Sequence, residues 1–306
     1  MDLVLYSHPD MTLHRPRPSH PERPERLKAV LDALADASDL KLDRRDAPMA
    51  SAADLALVHD PAFIQSLERL TPATGVAYAD PDTQVSPGSL TAALRAAGGA
   101  AHAARAAARG EIGRAFCAVR PPGHHAGPAN AMGFCLFSNV AIAARAARSE
   151  GLPRVAIADF DVHHGNGTQA VFEADPTVFF ASVHQSPAYP GTGAPTETGV
   201  GNVANATVPP GAARETWRKA FAGLVERIDA FAPDLILVSA GFDAHARDPL
   251  AEQSLEAEDF AWATRALVEV ANHRCGGRIV STLEGGYDLE ALGRSAAAHA
   301  RALAEA

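Results

Sequence analysis

Two carboxylates and an imidazole fall within five residues of this chain: Asp159, Asp161 and His163, in the stretch RVAIADFDVHHGNGTQ at 154–169. The apolar, partly β-branched run from Val155 to Ala158 predicts a strand. The two-residue period of a strand then sends all three side chains to one side where the strand ends. Carboxylate oxygens and an imidazole nitrogen converging on one point suit a divalent ion such as zinc. Taken alone, the segment is more simply a solvated strand end before a Gly-rich turn, and the rest of the chain is what turns the reading towards a metal. With Asp243, in SAGFDAH, a three-ligand set of Asp161, His163 and Asp243 emerges, its fourth position open as in a catalytic zinc site. Two carboxylates nearly neutralise the ion, so a water on it is acidified less than in an all-histidine site, and a separate base is required.

The adjacent pair His124–His125, behind Pro121–Pro122, can supply that base. A carboxylate or amide behind each ring would fix its tautomer, and Asp159 and Asn166 are the candidates. Tyr287 follows Gly285 and Gly286, and a phenol beside a metal can donate a hydrogen bond to a developing oxyanion. A boundary tyrosine packing its ring on the core fits the same residue. Phe134 and Tyr189 either wall an apolar channel or pack ordinarily. Asp248 and Glu284 lie near the same edge without an assigned role, and Arg15, Arg17, Arg44 and Arg45 read as solvated surface.

These residues need a scaffold that gathers them. Six short apolar runs, at 3–7, 114–119, 154–160, 177–183, 234–240 and 278–284, read as strands. Ala-rich or amphipathic segments of helical spacing lie among them, at 90–108, 138–151 and 216–231, and HPERPERLKAVLDAL at 20–34 reads as a polar loop entering a helix. Continuous apolar strands alternating with helices predict an α/β fold: one domain over 1–306, its mainly parallel sheet sandwiched by helices. Ligands of such sheets bind outside the carboxyl ends of the strands. Five strands deliver chemically competent residues there: His124 and His125; Asp159, Asp161 and His163; Ser182 and His184; Asp243; Tyr287. The Pro/Gly-rich stretches at 71–89 and 185–213 read as loops over the site rather than linkers.

Composition narrows the class. A chain of 306 residues with 47% hydrophobic and 21% charged residues matches a globular protein, and no apolar run approaches the roughly 18 residues of a membrane span. A formal charge of −9 argues against a nucleic-acid partner and allows a cationic substrate. The N-terminus MDLVLYSHPDM carries an acid and no basic region, so no signal peptide is expected. Three widely spaced cysteines, Cys117, Cys135 and Cys275, fit a reducing cytoplasm.

RPPGHH, MGFC, DFDVHHGNGTQ, PGTG, SAGFDAHARDPL and LEGGYD resemble, in order and spacing, the histone deacetylase and acetylpolyamine amidohydrolase family, over roughly residues 18–300. Asn166 and HPERPER look most like its class II members and their bacterial relatives. The resemblance implies the arginase–deacetylase fold and a cytoplasmic, zinc-dependent hydrolysis that releases acetate or a similar short acyl group from an acylated amine. Its substrate would be a small acylated amine or an acetyl-lysine peptide. It implies zinc on Asp161, His163 and Asp243, with His125 as general base and acid. Asp159 stands behind His124, Asn166 behind His125, and Tyr287 on the scissile carbonyl. Gly133, Phe134, Tyr189 and Gly286 match the substrate tunnel. Asp159, Asp161, His163, Ser182 and Val183 match a structural potassium site, and Phe172, Asp175 and Val178 a second.

A two-manganese ureohydrolase is the enzymatic rival, but Gly165 and His245 stand where its bridging carboxylates belong. A binding protein without turnover is the other; the intact His124, His125 and Tyr287 argue against it. Substrate identity is not readable from the residues, and neither is oligomeric state, a homo-oligomer being allowed.

Overall fold

The structure is a computed structural model and describes residues 3–305; Met1, Asp2 and Ala306, and with them the acid noted at the N-terminus, lie outside the described residues. In chain order the first half runs β1 (Leu3–Ser7), α1 (Pro24–Asp36), β2 (Leu42–Asp46), α2 (Ala52–Leu55), α3 (Pro61–Leu70), β3 (Ala77–Tyr78), β4 (Gln84–Val85), α4 (Ser89–Ala108) and β5 (Arg114–Cys117). There follow α5 (Asn139–Ser149), β6 (Val155–Asp159), α6 (Asn166–Phe172), β7 (Val178–Gln185), β8 (Val203–Val208) and α7 (Arg214–Phe231). Last come β9 (Leu235–Ala240), α8 (Ala257–Arg274), β10 (Ile279–Leu283) and α9 (Leu289–Ala304).

Eight strands form one sheet in the order β2-β1-β5-β10-β9-β6-β7-β8. Every pairing in it is parallel. The six inner strands are the six that the apolar runs predict, because a strand covered on both faces must be apolar throughout. The two outer strands depart from that reading. β2 is LDRRD, with Arg44 exposed, and so places the supposed surface pair Arg44–Arg45 in the sheet edge. β8 lies inside the stretch read as loop at 185–213, and the stretch at 71–89 contains the antiparallel hairpin β3–β4. Edge strands carry polar residues because one flank is unpaired, so the apolar-run signal fails there. Helices α4 and α5 pack together on one face; α7, α8 and α9 form the other, with α1 against α9.

Two buried histidines in this framework are locked neutral. His299 of α9 sits between the Thr264 and Ser281 hydroxyls at 2.6 and 2.8 Å, ringed by Phe116, Phe160 and Phe242, and burial pushes it down to about 3. His59 donates from Nδ1 to the Gly127 carbonyl and accepts the Ser138 N–H at Nε2; burial holds it at about 4. Below about pH 6.5 the unfolded chain takes up protons at both positions while the folded chain does not. Stability is therefore present above that pH and falls as the pH drops towards 4. The slope is about 1.4 kcal/mol per pH unit for each histidine. Denaturant unfolding between pH 4 and 6.5 should show a shallower slope for His299→Gln than for wild type. An identical slope would mean that His299 is not locked neutral.

Candidate active site

The inner strands end at one edge, and their following turns meet there. β6 stops at Asp159, so Asp161 and His163 lie in the turn beyond it. Strand alternation is therefore not what gathers the three residues. Successive backbone N–H groups fold onto the preceding carboxylates instead: Asp161 N–H onto Asp159 Oδ1 at 3.1 Å and His163 N–H onto Asp161 Oδ1 at 2.9 Å. This turn splits the trio. Asp159 faces His124, whereas Asp161 and His163 join Asp243 from the end of β9.

Asp161, His163 and Asp243 each offer a ligand atom, all within 4.8 Å of one another. His163 Nδ1 lies 3.1 Å from Asp161 Oδ1 and 3.2 Å from Asp243 Oδ2. Asp243 Oδ2 is buried and has no hydrogen-bond partner. A buried carboxylate oxygen left so is costly unless a cation sits against it. Burial opposes charge on His163, yet the carboxylates of Asp161 and Asp243 hold the ring's charge well above its ordinary range. The same two carboxylates would stabilise a divalent cation, so the donor set fits zinc in ligand type and in charge. Gly285 is required beside them: a Cβ there would come within 2.1 Å of Asp243 Oδ2, and its N–H donates to Asp161 Oδ2 at 2.8 Å.

The tandem histidines follow β5. His124 Nδ1 lies 3.0 Å from Asp159 Oδ2; burial opposes its charge, but Asp161, Asp159 and Glu284 outweigh it and lift the ring to about 10. His125 Nδ1 lies 2.7 Å from Asn166 Oδ1, an acceptor at the first residue of α6. The proton must then sit on Nδ1, which leaves the lone pair on Nε2. Burial, with His124 and His163 nearby, keeps His125 well below its usual value. One imidazole is thus set to carry charge and its neighbour to accept a proton.

A cavity of about 240 Å³ opens above these groups, lined by Asp82, His125, Gly133, Phe134, His163, Tyr189, Leu250 and Tyr287. The Tyr189 ring stands edge-on to His125 at 5.1 Å, and Phe134 edge-on to Tyr287 at 6.0 Å. Gly133 takes φ +58°, where a Cβ would strike the His125 ring at 2.3 Å. Phe134 holds φ +67° although it is not glycine, a conformation kept at a cost by its surroundings. Gly286 bends at φ +119° and does not line the cavity; it aims Tyr287 into it. Ser182 and His184 also stand away from the cavity. They bond to each other at 2.9 Å, and His184 holds the Gly193 carbonyl, which fastens the loop that carries Tyr189. Of the potassium candidates, Phe172 closes α6, Asp175 lies in the turn that follows, and Val178 and Val183 lie on β7.

Several functional contacts carry no signal in the sequence. Glu284 Oε2 accepts the N–H groups of Gly123 and His124, and its Oε1 accepts the Ser239 hydroxyl; burial lifts it to about 7. Asp248 accepts the Tyr287 N–H at 2.7 Å. Asp82 and Thr83, in the β3–β4 hairpin, accept the N–H groups of Gly133 and Phe134. Arg26, fully buried, donates to the Gly286 and Glu284 carbonyls at 2.6 Å each and lies 4.8 Å from the Tyr287 ring centre. Glu22 pairs with Arg26, Arg120 and His14. HPERPER is a polar loop entering α1, as its sequence predicts, but its Glu22 and Arg26 are buried and brace the Tyr287 turn while Arg23 and Glu25 are exposed.

Comparison with known proteins agrees with this geometry. Residues 20–303 match the family model described as histone deacetylase domain. The chain is 39% identical over 291 residues to a probable deacetylase of Archaeoglobus fulgidus, covering 92% of this chain and 80% of that protein. It is 39% identical over 274 residues to a histone deacetylase-like amidohydrolase of Pseudomonas aeruginosa, covering 87% and 71%. The crystal structure of the HDA15 HD domain superposes with a TM-score of 0.91 at 35% identity, covering 98% of this chain and 90% of that one.

Proposed function

Because the chain belongs to the histone deacetylase family, we propose that it is a zinc-dependent amidohydrolase that removes acetyl or a similar short acyl group from a linear acylated amine. An acetyl-lysine side chain and an acetylpolyamine both present that group on a methylene stem. The observation that carries the reading is the Asp161–His163–Asp243 triad beside His125 and Tyr287 at the cavity lined by Phe134 and Tyr189. A cavity of about 240 Å³ suits a slender stem rather than a bulky ligand.

Zinc bound by Asp161, His163 and Asp243 would supply Lewis acidity and lower the pKa of a water. The chain's own groups do the rest. His125 accepts a proton at Nε2, with Asn166 holding its other nitrogen, and returns one to the leaving amine. His124, paired with Asp159, keeps positive charge beside the reacting carbonyl. Tyr287 donates its hydroxyl to the carbonyl oxygen as that oxygen becomes anionic. Phe134 and Tyr189 exclude water from the stem. Asp159, Asp161, His163, Ser182 and Val183 are assigned to a structural potassium ion, supported by the β6–β7 register that sets Asp159 opposite Ser182. Asn166 supports placement with the class II type, and three free buried cysteines support a cytoplasmic setting.

A linear alkyl hydroxamate is expected to inhibit, since its oxygens chelate the metal while its chain fills the cavity. Acyl-lysine amides with a trifluoroacetyl group should turn over faster than acetyl ones, because attack on the carbonyl is easier. Phe134→Ala should weaken inhibitor binding and turnover by about 1–3 kcal/mol for the lost apolar contact. One fluorogenic acyl-lysine substrate measures both, and a panel of acetylpeptides against acetylpolyamines assigns the stem. No inhibition at millimolar hydroxamate, or a Phe134→Ala variant silent in both assays, would refute the tunnel.

A further inference from the structure

The carbonyls of Phe172, Asp175 and Val178 converge where α6 ends and the chain turns into β7. The last carbonyls of a helix have no partner within it, and three turned onto one point form a cradle for positive charge. Here that point is filled. Asn202, buried just before β8, puts Nδ2 at 2.7 Å from the Phe172 oxygen, 2.9 Å from that of Asp175 and 2.8 Å from that of Val178. A carboxamide nitrogen has two protons, so it faces more acceptors than it can satisfy one by one. It occupies the cradle as a partial positive charge.

The orientation of the amide is settled from its other end. Val200 N–H donates to Asn202 Oδ1 at 3.2 Å and to the Glu173 carbonyl at 2.9 Å, which pins the turn at 199–202 onto the end of α6. The flipped amide would set Oδ1 against three carbonyl oxygens and Nδ2 against an N–H. Positive charge is also already present nearby. Arg145 and Arg148 both reach the Asp175 carboxylate, and the Arg145 guanidinium lies 4.9 Å from the Phe172 ring centre. These residues do not fit a second potassium ion, in contrast to what the resemblance implies for Phe172, Asp175 and Val178.

We propose that the Asn202 carboxamide permanently replaces the second monovalent cation, so that this cradle is closed in the folded protein without any ion. The anchoring of α6, whose first residue is the Asn166 that orients His125, then does not depend on potassium at its far end. The proposal concerns this cradle alone and stands apart from the catalytic reading.

Crystals of the wild-type chain soaked in rubidium chloride test it by anomalous scattering. The expected map has no rubidium among the Phe172, Asp175 and Val178 oxygens; a peak there, with the Asn202 side chain displaced, overturns the proposal. Signal at Asp159, Asp161 and His163 in the same map reports separately on the first potassium site. Asn202→Ala, which empties the cradle, should bind one rubidium ion more per chain than wild type in equilibrium dialysis. Its melting temperature should rise more on exchanging choline for potassium. Equal binding and an equal response to potassium would count against the proposal. If the variant does not fold, the wild-type map alone decides.

Discussion

Asp243→Ala is expected to abolish metal binding and turnover together while the chain stays folded. Asp243 is buried, and its Oδ2 accepts no hydrogen bond and faces the His163 ring at 3.2 Å, so its oxygens are placed for a ligand rather than for the sheet. Two contacts are lost, the Val162 N–H that donates to Oδ1 at 2.9 Å and the ion pair of Oδ2 with His163 at 3.2 Å, and the sheet retains its own apolar core. A metal ion contributes several kcal/mol of charge stabilisation to a hydrolytic transition state, so turnover should drop roughly 10³-fold or more. Elemental analysis of the purified variant, circular dichroism and one turnover assay suffice. Stoichiometric zinc with normal turnover would show that Asp243 is not a ligand.

Tyr287→Phe is expected to leave metal content unchanged and to lower kcat by roughly 10²–10³-fold, the effect of removing one oxyanion donor. The ring keeps its packing against Phe134 and Arg26 in the variant, so only the hydroxyl is lost. Burial, together with the nearby carboxylates of Asp243, Asp161 and Asp248, raises the phenol well above its usual value; Arg26 opposes this only in part. The hydroxyl thus keeps its proton throughout the neutral range and remains a donor. A kcat within about twofold of wild type would take Tyr287 out of the chemistry.

Residues that the sequence marks are those with a local pattern. The inner strands are visible because burial on both faces demands unbroken apolar runs. His124–His125 and Asp161–His163 are visible because paired ligand-type residues at strand ends are rare. β2 and β8 are not, since an edge strand such as LDRRD needs no apolar run. The strand argument for Asp159, Asp161 and His163 is corrected by the structure: β6 ends at Asp159, and carboxylate-capped turns, not strand alternation, place the other two. Glu284, Asp248, Asp82 and Arg26 are single charged residues whose contacts to the site reach 39 to 260 positions away. No window of sequence contains both ends of such a contact, so no spacing can announce it.

The brace formed by Arg26 also sets an order of events. Its guanidinium comes from α1, yet it holds carbonyls 258 and 260 residues further along the chain. During synthesis that charge must stay hydrated until β10 and the turn after it have been made. At about 5–20 residues per second, the wait is on the order of tens of seconds. Until then Glu22, Arg26 and Arg120 cannot be buried as a complete set, and the catalytic edge has no floor. The brace behind the Tyr287 turn therefore joins the two ends of the chain and forms only once both have been made. A chain ending before residue 284 would lack both carbonyls that hold Arg26, along with Gly285 and Tyr287, and so would have no working centre.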